Sequence, residues 1–156
     1  MKIEELEKKV KELESEITKL EKKLKISEER FQGLFDAAED GIFTLDLKGN
    51  FTSGNKKAEE ICGYKQDELV GKSILSLLTK ESVPAILKIF NDIVAKRYLS
   101  YQFETEIKRK DGNWVPLEVK GRVVREEGRI VGVLGIARDV SERKQVLEEL
   151  KKKQRT

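Results

Sequence analysis

The chain contains no histidine, one cysteine, Cys62, and only two prolines among its 156 residues. Histidine and cysteine are the usual ligands of transition metals and the usual bases and nucleophiles of catalysis. We therefore expect no metal site and no catalytic residue, and hence no enzyme. A single cysteine excludes an internal disulfide and fits a reducing compartment, which predicts a cytoplasmic protein.

Charge of one sign is also lacking, since 32 Lys and Arg residues are interleaved with 29 Asp and Glu residues, for a net charge of +3. A nucleic-acid groove needs a basic stripe, so no nucleic-acid partner is expected. The longest uncharged apolar run, Ile130–Ala137, is too short to span a bilayer, and the amino terminus does not have the pattern of a secretory signal. We expect no membrane segment.

The amino-terminal segment instead has a strict heptad pattern, with apolar residues at alternating spacings of three and four. These residues are Ile3, Leu6, Val10, Leu13, Ile17, Leu20 and Leu24. Mostly β-branched residues at position a and Leu at position d favour two parallel strands. Position e is always Glu, so a parallel pair sets Lys2 against Glu7 and Lys9 against Glu14, whereas an antiparallel pair sets Glu against Glu. The segment predicts a parallel homodimer.

Two alternatives to this homodimer stay open. A single amphipathic helix docked on its own domain would need a wider apolar stripe than this seam. The heptads are also regular enough for an engineered origin.

The heptad register continues through Phe31 and Leu34, which joins them to the predicted interface. Ser27 could cap a fresh helix, with Ile26 stapled onto Phe31, but the unbroken register favours one continuous helix that ends near Asp40.

Short elements follow this helix. Ile42–Asp46 and Phe51–Ser53 are predicted strands of a hairpin, and Asn55 is placed to cap a helix that stops at Gly63. A longer helix is predicted from Ser82 to about Lys96, and its two apolar faces predict that it is well buried.

The last third of the chain is predicted to form strands. Apolar and polar residues alternate from Tyr101 to Ile107 and from Val115 to Val119, which predicts two strands with one solvent-exposed face each. The final strand, Ile130–Ala137, is apolar on both faces, so it should be central and covered on each side. The helical midsection is one predicted cover, and the amino-terminal helix or a partner subunit is the other.

Several short motifs occur along these elements in a characteristic order. They are Asp40-Gly41-Ile42, Asp46 to Gly49, Gly63-Tyr64, Lys110-Asp111-Gly112 and Arg138-Asp139-Val140-Ser141. In this order they resemble the PAS sensory domain, from Ser27 to about Lys144. The resemblance implies an α+β fold, a five-stranded antiparallel sheet in the order 2-1-5-4-3 with short helices on one face. It is preceded by the long coiled-coil helix and followed by an exit helix.

The domain organisation follows from combining the heptads with this resemblance. Residues 1–26 are predicted to form the coiled coil, and residues 27–140 the PAS domain, with 27–39 as its flanking helix. Residues 141–156 are predicted to form a linker helix. The resemblance assigns signal transfer to Asp139 and Ser141, where the last strand meets that helix.

The resemblance also implies a dimeric sensory and signal-relay module, the input part of a histidine kinase or similar protein. The chain has no histidine, so a kinase phosphoacceptor and the output domain would lie outside it. Haem-binding members usually ligate iron through histidine, which disfavours haem. LOV-type flavin members need a cysteine where this chain has Lys72-Ser73-Ile74, which disfavours flavin. The cofactor is therefore unknown, and none is indicated.

Two hypotheses stay open for the interior of the domain. In one, a pocket between sheet and helices binds a small-molecule ligand; in the other, a fully packed core makes the chain a ligand-free dimerisation module. The pocket candidates, chosen by facing parity alone, are Ile74, Leu78, Leu87, Phe90, Phe103, Leu117 and Val119. Cys62 is predicted to be a small core residue rather than a reactive thiol.

Overall fold

The computed structural model describes residues 2–95 and 100–155, which fall into two compact units divided between residues 37 and 38. Three predicted boundaries lie outside the described residues. They are the start of the coiled coil at Met1, the end of the linker helix at Thr156 and the end of the longer helix near Lys96. Helices α1 to α5 span Ile3–Ala37, Lys56–Cys62, Gln66–Leu69, Val83–Val94 and Ser141–Arg155. Strands β1 to β5 span Gly41–Asp46, Phe51–Gly54, Ser100–Lys108, Trp114–Glu126 and Arg129–Asp139.

Helix α1 runs without a break through Ser27, so the favoured continuous helix is confirmed. The rings of Phe31 and Phe35 stack within it at a centroid distance of 5.5 Å. Every apolar residue of the predicted seam is exposed, from 46% at Leu6 to 76% at Leu34. The helix therefore presents a stripe of exposed apolar side chains, interrupted at heptad position d by Ser27.

The five strands form one antiparallel sheet in the order β2-β1-β5-β4-β3, which confirms the predicted fold class. The first and last strands are neighbours at the centre, and the start of β1 pairs with the end of β5 through Gly41 and Ala137. The residues that precede β1 and follow β5 are consequently held at the same end of the sheet.

The β1–β2 hairpin is stabilised by the side chain of Asp46. Its Oδ1 accepts hydrogen bonds of 2.9 Å from the backbone N–H groups of Lys48 and Asn50. The bond from Asn50 in particular holds the pKa of Asp46 below its ordinary value. Gly49 has a φ of 85°, the left-handed conformation that glycine adopts without strain. This turn agrees with the hairpin predicted from Leu47 to Asn50.

One face of the sheet carries the core, and its most buried side chains include Leu69, Ile93 and Val133. Helix α4 contributes Ile86 and Ile93 to this core, while Leu87 is 46% and Val94 63% exposed. The prediction that both apolar faces of this helix are buried is wrong for those two residues. The apolar period marks both faces alike, and packing into the core selects only one.

The other face of the sheet is more open at β5, where Ile136 is 37% exposed. The central position predicted for this strand is confirmed, since β5 lies between β1 and β4. A second cover over it stays a prediction. Among the helices of residues 2–95 and 100–155, none combines the length and hydropathy that crossing a bilayer requires.

Two glycines lie side by side on the buried face, beneath two aromatic rings. Register places Tyr101, Gly121, Gly135 and Phe43 in one row across β3, β4, β5 and β1. A Cβ atom on Gly121 would lie 2.1 Å from Cζ of Tyr101, and one on Gly135 would lie 2.3 Å from Cζ of Phe43. The missing side chains leave room for the outer edges of both rings.

Candidate functional site

An apolar cavity of about 50 Å³ lies between the buried face of the sheet and helices α2 and α3. Every strand contributes at least one residue to its wall. The lining residues are Phe43, Phe51, Ala58, Ile61, Cys62, Leu69, Ile74, Leu77, Leu78, Phe103, Thr105, Ile107, Leu117, Val119 and Ala137.

Most of the pocket candidates predicted by parity lie in this wall, namely Ile74, Leu78, Phe103, Leu117 and Val119. The structure places the other two elsewhere. Leu87 is on the exposed side of α4, and Phe90 is partly buried against the core near Gly49 without lining the cavity. Parity along a helix does not tell which of two adjacent apolar faces points inward. A ligand-binding role for any of these residues stays a prediction.

Parity also missed the wall formed by α2 and the first hairpin. Ala58, Ile61 and Cys62 lie at i, i+3 and i+4, which puts them on one face of a helix, and all three are buried. Phe43 and Phe51 face the same way from β1 and β2, and their rings meet edge to face at 5.6 Å. The helical spacing was the signal that could have identified the α2 residues.

The polar side chains in the wall already have partners. Thr105 Oγ1 and Ser82 Oγ are 2.8 Å apart, which ties β3 to the residue that precedes α4. Cys62 Sγ lies 3.8 Å from the carbonyl oxygen of Tyr64, and burial raises the pKa of this free thiol. Within residues 2–95 and 100–155, no group of His, Cys, Asp and Glu side chains is arranged to hold a metal ion.

The amino-terminal end of α2 is fixed to β1 by Asn55, which is fully buried. Its Oδ1 accepts 2.9 Å hydrogen bonds from the N–H groups of Ile42 and Ala58, and its Nδ2 donates to the carbonyl oxygen of Asp40 at 3.1 Å. The side chain therefore caps the helix, as predicted, and also connects it to the first strand.

The carboxyl-terminal end of α2 is held by the β3–β4 turn, residues 109–113. Arg109 Nη1 donates 2.9 Å hydrogen bonds to the carbonyl oxygens of Glu60 and Ile61, and the Lys110 N–H donates to that of Cys62 at 3.0 Å. Helix α2, one wall of the cavity, is thus attached to the sheet at both ends. The positive charge of Arg109 also interacts favourably with the negative, carboxyl-terminal end of the α2 dipole.

Acidic side chains complete the attachment of this turn. Lys110 Nζ pairs with Glu68 at 2.5 Å, and this hydrogen bond lowers the pKa of Glu68. Arg109 pairs with Asp111 at 3.3 Å. The pKa of Asp111 is lowered mainly by the hydrogen bond from the Asn113 N–H, and also by Arg109.

Asp139 and Ser141 lie at the junction of β5 with α5. Asp139 Oδ1 accepts from the N–H and the hydroxyl of Ser141, at 2.9 and 2.5 Å. Between them Val140 is buried, and its N–H donates to the Pro116 carbonyl oxygen at 3.1 Å. The Asp139 carboxylate thus binds the first N–H of the helix, while the Ser141 hydroxyl donates back to it.

Ion pairs connect the same junction to neighbouring parts of the sheet unit. Arg138 donates to both carboxylate oxygens of Asp40, at 3.2 and 3.3 Å. Arg143, in the first turn of α5, bonds Glu118 of β4 at 3.0 Å and Glu104 of β3 at 3.1 Å. The exit helix is therefore attached to the strands by more than its backbone.

The fold and the sequence identify the family. Residues 39–142 match the family model described as PAS domain, which is more than half of the chain. The chain belongs to the PAS domain family, as the sequence motifs predicted. A solved structure, the PAS domain of HTR-like protein from Haloarcula marismortui, superimposes with a TM-score of 0.67 at 25% identity. The match covers 78% of this chain and 98% of that one.

Curated relatives are large signalling proteins. Phytochrome A type 4 of Avena sativa is 29% identical over 119 residues, which are 74% of this chain and 10% of that protein. The methanogenesis regulatory histidine kinase FilI of Methanothrix harundinacea is 26% identical over 134 residues, 85% of this chain and 15% of that protein. The chain is thus a PAS sensory domain homologous to those of phytochromes and histidine kinases, and spans only about a tenth to a seventh of these relatives.

Proposed function

We propose that the chain is a dimeric signal-relay module, the input part of a histidine kinase or a similar signalling protein. A change in the core or at the dimer interface would pass through the flanking helices to an output domain. The observation that carries this proposal is the pairing of Gly41 with Ala137, which joins the strand after α1 to the strand before α5.

The ion pair between Arg138 and Asp40 supports this route. It connects the end of β5 to the residue before β1, outside the ladder of backbone hydrogen bonds. A shift of one central strand would therefore be felt at both flanking segments. The exit helix has further contacts of the same kind through Arg143, so its position depends on the strands beside it.

The dimer is proposed from the exposed apolar seam of α1. A helix of 35 residues with an uncovered heptad stripe is typical of a coiled-coil partner. The test is the mass of the wild-type protein at micromolar concentration by multi-angle light scattering. Twice the chain mass is expected, and a monomer mass would contradict the dimer.

The larger organisation also belongs to this proposal. Residues 1–26 would be the coiled coil, residues 27–140 the PAS domain and residues 141–156 the linker to the output domain. FilI is named a histidine kinase, and this chain contains no histidine, so a kinase core would be another part of a longer protein. The cytoplasmic location and the lack of catalysis stay predictions from the sequence.

A second candidate is a ligand-free dimerisation module, because the size of the cavity argues against a drug-sized ligand. A pocket for a drug-sized ligand measures at least about 300 Å³, whereas this cavity measures about 50 Å³. Denaturing the purified protein and analysing the released material by mass spectrometry separates the two candidates. A stoichiometric small molecule would support the sensor, and its absence would exclude a ligand that is retained through purification. Stoichiometric absorption in the visible range would contradict our expectation that haem and flavin are absent.

A further inference from the structure

The chemistry of the cavity wall restricts what the cavity can bind. No charged side chain occurs among the described residues that line it. The polar side chains in the wall, those of Thr105 and Cys62, already contact Ser82 and the Tyr64 carbonyl oxygen. An ionised ligand group would therefore enter without a partner, at a desolvation cost too large for binding.

The hydrogen bonding of the buried side chains leads to the same restriction on the ligand. Within residues 2–95 and 100–155, every buried side-chain nitrogen and oxygen has a hydrogen-bond partner. A ligand with several polar groups would have to break protein hydrogen bonds in order to form its own. Carboxylates, phosphates and nucleotides are thus excluded as occupants of the cavity in its present form.

The size of the cavity sets an upper limit on the ligand. An engineered apolar cavity of about 150 Å³ stays dry and binds benzene or xenon. The present cavity is about 50 Å³, roughly a third of that volume. It has space for a molecule smaller than benzene, and its apolar wall offers water few hydrogen bonds.

We propose that this cavity is a binding site for a compact, uncharged, apolar molecule of a few heavy atoms. The inference rests on the proposed sensory function and names its ligand class. Ala137 lines the cavity, pairs with Gly41 and lies two residues before Asp139. An occupant would therefore contact the strand end that leads into α5.

Xenon is a suitable probe, and methyl NMR of the full-length protein is the measurement. Under xenon pressure we expect saturable shift changes at the methyl groups of Ile74, Leu78 and Val119, which line the cavity. The methyl groups of Val146 and Leu150 are exposed on α5 and should not show saturable changes. A wild-type protein without saturable changes at the cavity methyl groups would overturn the proposal.

A substitution that fills the cavity can be compared with the same substitution at an exposed position. Ala137→Val adds two methyl groups inside the wall and should abolish the xenon response. Ala95→Val makes the same change at an exposed position after α4 and should preserve it. Persistence of the xenon response in folded Ala137→Val protein would show that the gas binds elsewhere, which would overturn the assignment.

The charge requirement is tested in an enlarged cavity. Leu117→Ala, or Leu78→Ala if the first variant does not fold, should bind benzene but bind benzoate at least tenfold more weakly. Equal binding of the two would overturn the restriction to uncharged ligands. These results are independent of the dimer mass: a dimer without xenon binding would refute only the ligand class, whereas a monomer would refute the dimeric relay.

Discussion

Helix α1 and the sheet unit place their apolar residues in opposite ways. In α1 the heptad residues are exposed, between 46% and 76% of their surface. In the sheet unit, Leu69, Ile93 and Val133 retain at most 1% exposure. The helix is regular in sequence but leaves its apolar seam exposed, whereas the sheet unit buries its own core.

This difference separates two kinds of stability. A parallel pair of α1 helices would gain its hydrophobic stabilisation from association, so its stability would depend on protein concentration. The sheet unit gains it from folding within one chain. Mutations in the two regions should therefore affect different measurements, association in one case and unfolding in the other.

The largest expected effect is on association. Leu13→Asp would place two like charges in the apolar seam and should cost several kcal/mol of association free energy, on the order of 3 to 5 kcal/mol. Light scattering should show a monomer at concentrations at which the wild type is a dimer. Ser15→Asp adds the same charge at a position outside the seam and should leave the dimer intact. A dimeric Leu13→Asp protein would refute the seam.

The reciprocal mutation is in the sheet unit. Leu69 is 1% exposed and lies against Gly54, so Leu69→Ala should reduce the free energy of unfolding by about 2 to 5 kcal/mol in a urea titration. The dimer mass should not change under native conditions. Leu87→Ala, at a 46% exposed position, should cost less than about 1 kcal/mol. Equal costs at the two positions would contradict the burial described for α4.

The glycine row predicts an effect of similar origin but smaller size. Gly135→Ala places a methyl carbon 2.3 Å from Cζ of Phe43, so the ring must move, at a cost of about 1 to 3 kcal/mol. Gly33→Ala is the control in α1, where a Cβ atom meets nothing within 4 Å. It should instead stabilise the helix by up to about 1 kcal/mol. Thermal unfolding should show opposite signs for the two substitutions, and equal signs would argue against the ring contact.

The attachment of α2 predicts a local effect. Arg109→Ala removes two hydrogen bonds from a cation to helix carbonyls and should cost about 1.5 kcal/mol. Hydrogen exchange should increase in residues 59–63. The exposed Arg125→Ala is the control, and it should leave exchange in these residues unchanged. Unchanged exchange in the Arg109→Ala protein would exclude the attachment.

The pH dependence of the Arg109 variant follows from the pKa of Asp111. That pKa is lowered in the folded state, so the stabilisation by the ionised carboxylate is present above its ordinary pKa and is lost as pH falls through the lowered value. The stability difference between wild type and Arg109→Ala should therefore narrow in acid without vanishing, since the bonds to the carbonyl oxygens do not titrate. A difference that widens in acid would be the opposite of this expectation.

The smallest effect is expected at the exit helix. Asp139→Ala removes the acceptor for the Ser141 N–H and should cost about 1 kcal/mol. Hydrogen exchange should increase in residues 142–150 and stay unchanged in residues 6–24. The short helix is marginal by itself, so a single cap can decide its order. Unaltered exchange in α5 would count against this junction as the signal route.

Local patterns were enough to predict most elements of the fold. The Asn55 cap, the hairpin turn at residues 47–50 and the alternation in β3 and β4 depend on residues close together in sequence, and each is present. Among the pocket candidates chosen by parity, Leu117 and Val119, on a strand with one inward face, lie in the cavity wall. The candidates on α4, Leu87 and Phe90, lie outside this wall.

The sequence by itself determined the continuous α1 helix, since its heptad register runs unbroken past Ser27. Its motifs also determined the PAS fold, and the apolar residues on both faces of Ile130–Ala137 determined the central position of β5. Only the tertiary structure decided which face of α4 is buried, how small the cavity is, and that Arg109 reaches the carbonyl oxygens of Glu60 and Ile61 about fifty residues earlier. Those features depend on how side chains distant in sequence fill a shared volume, and no local period records that packing.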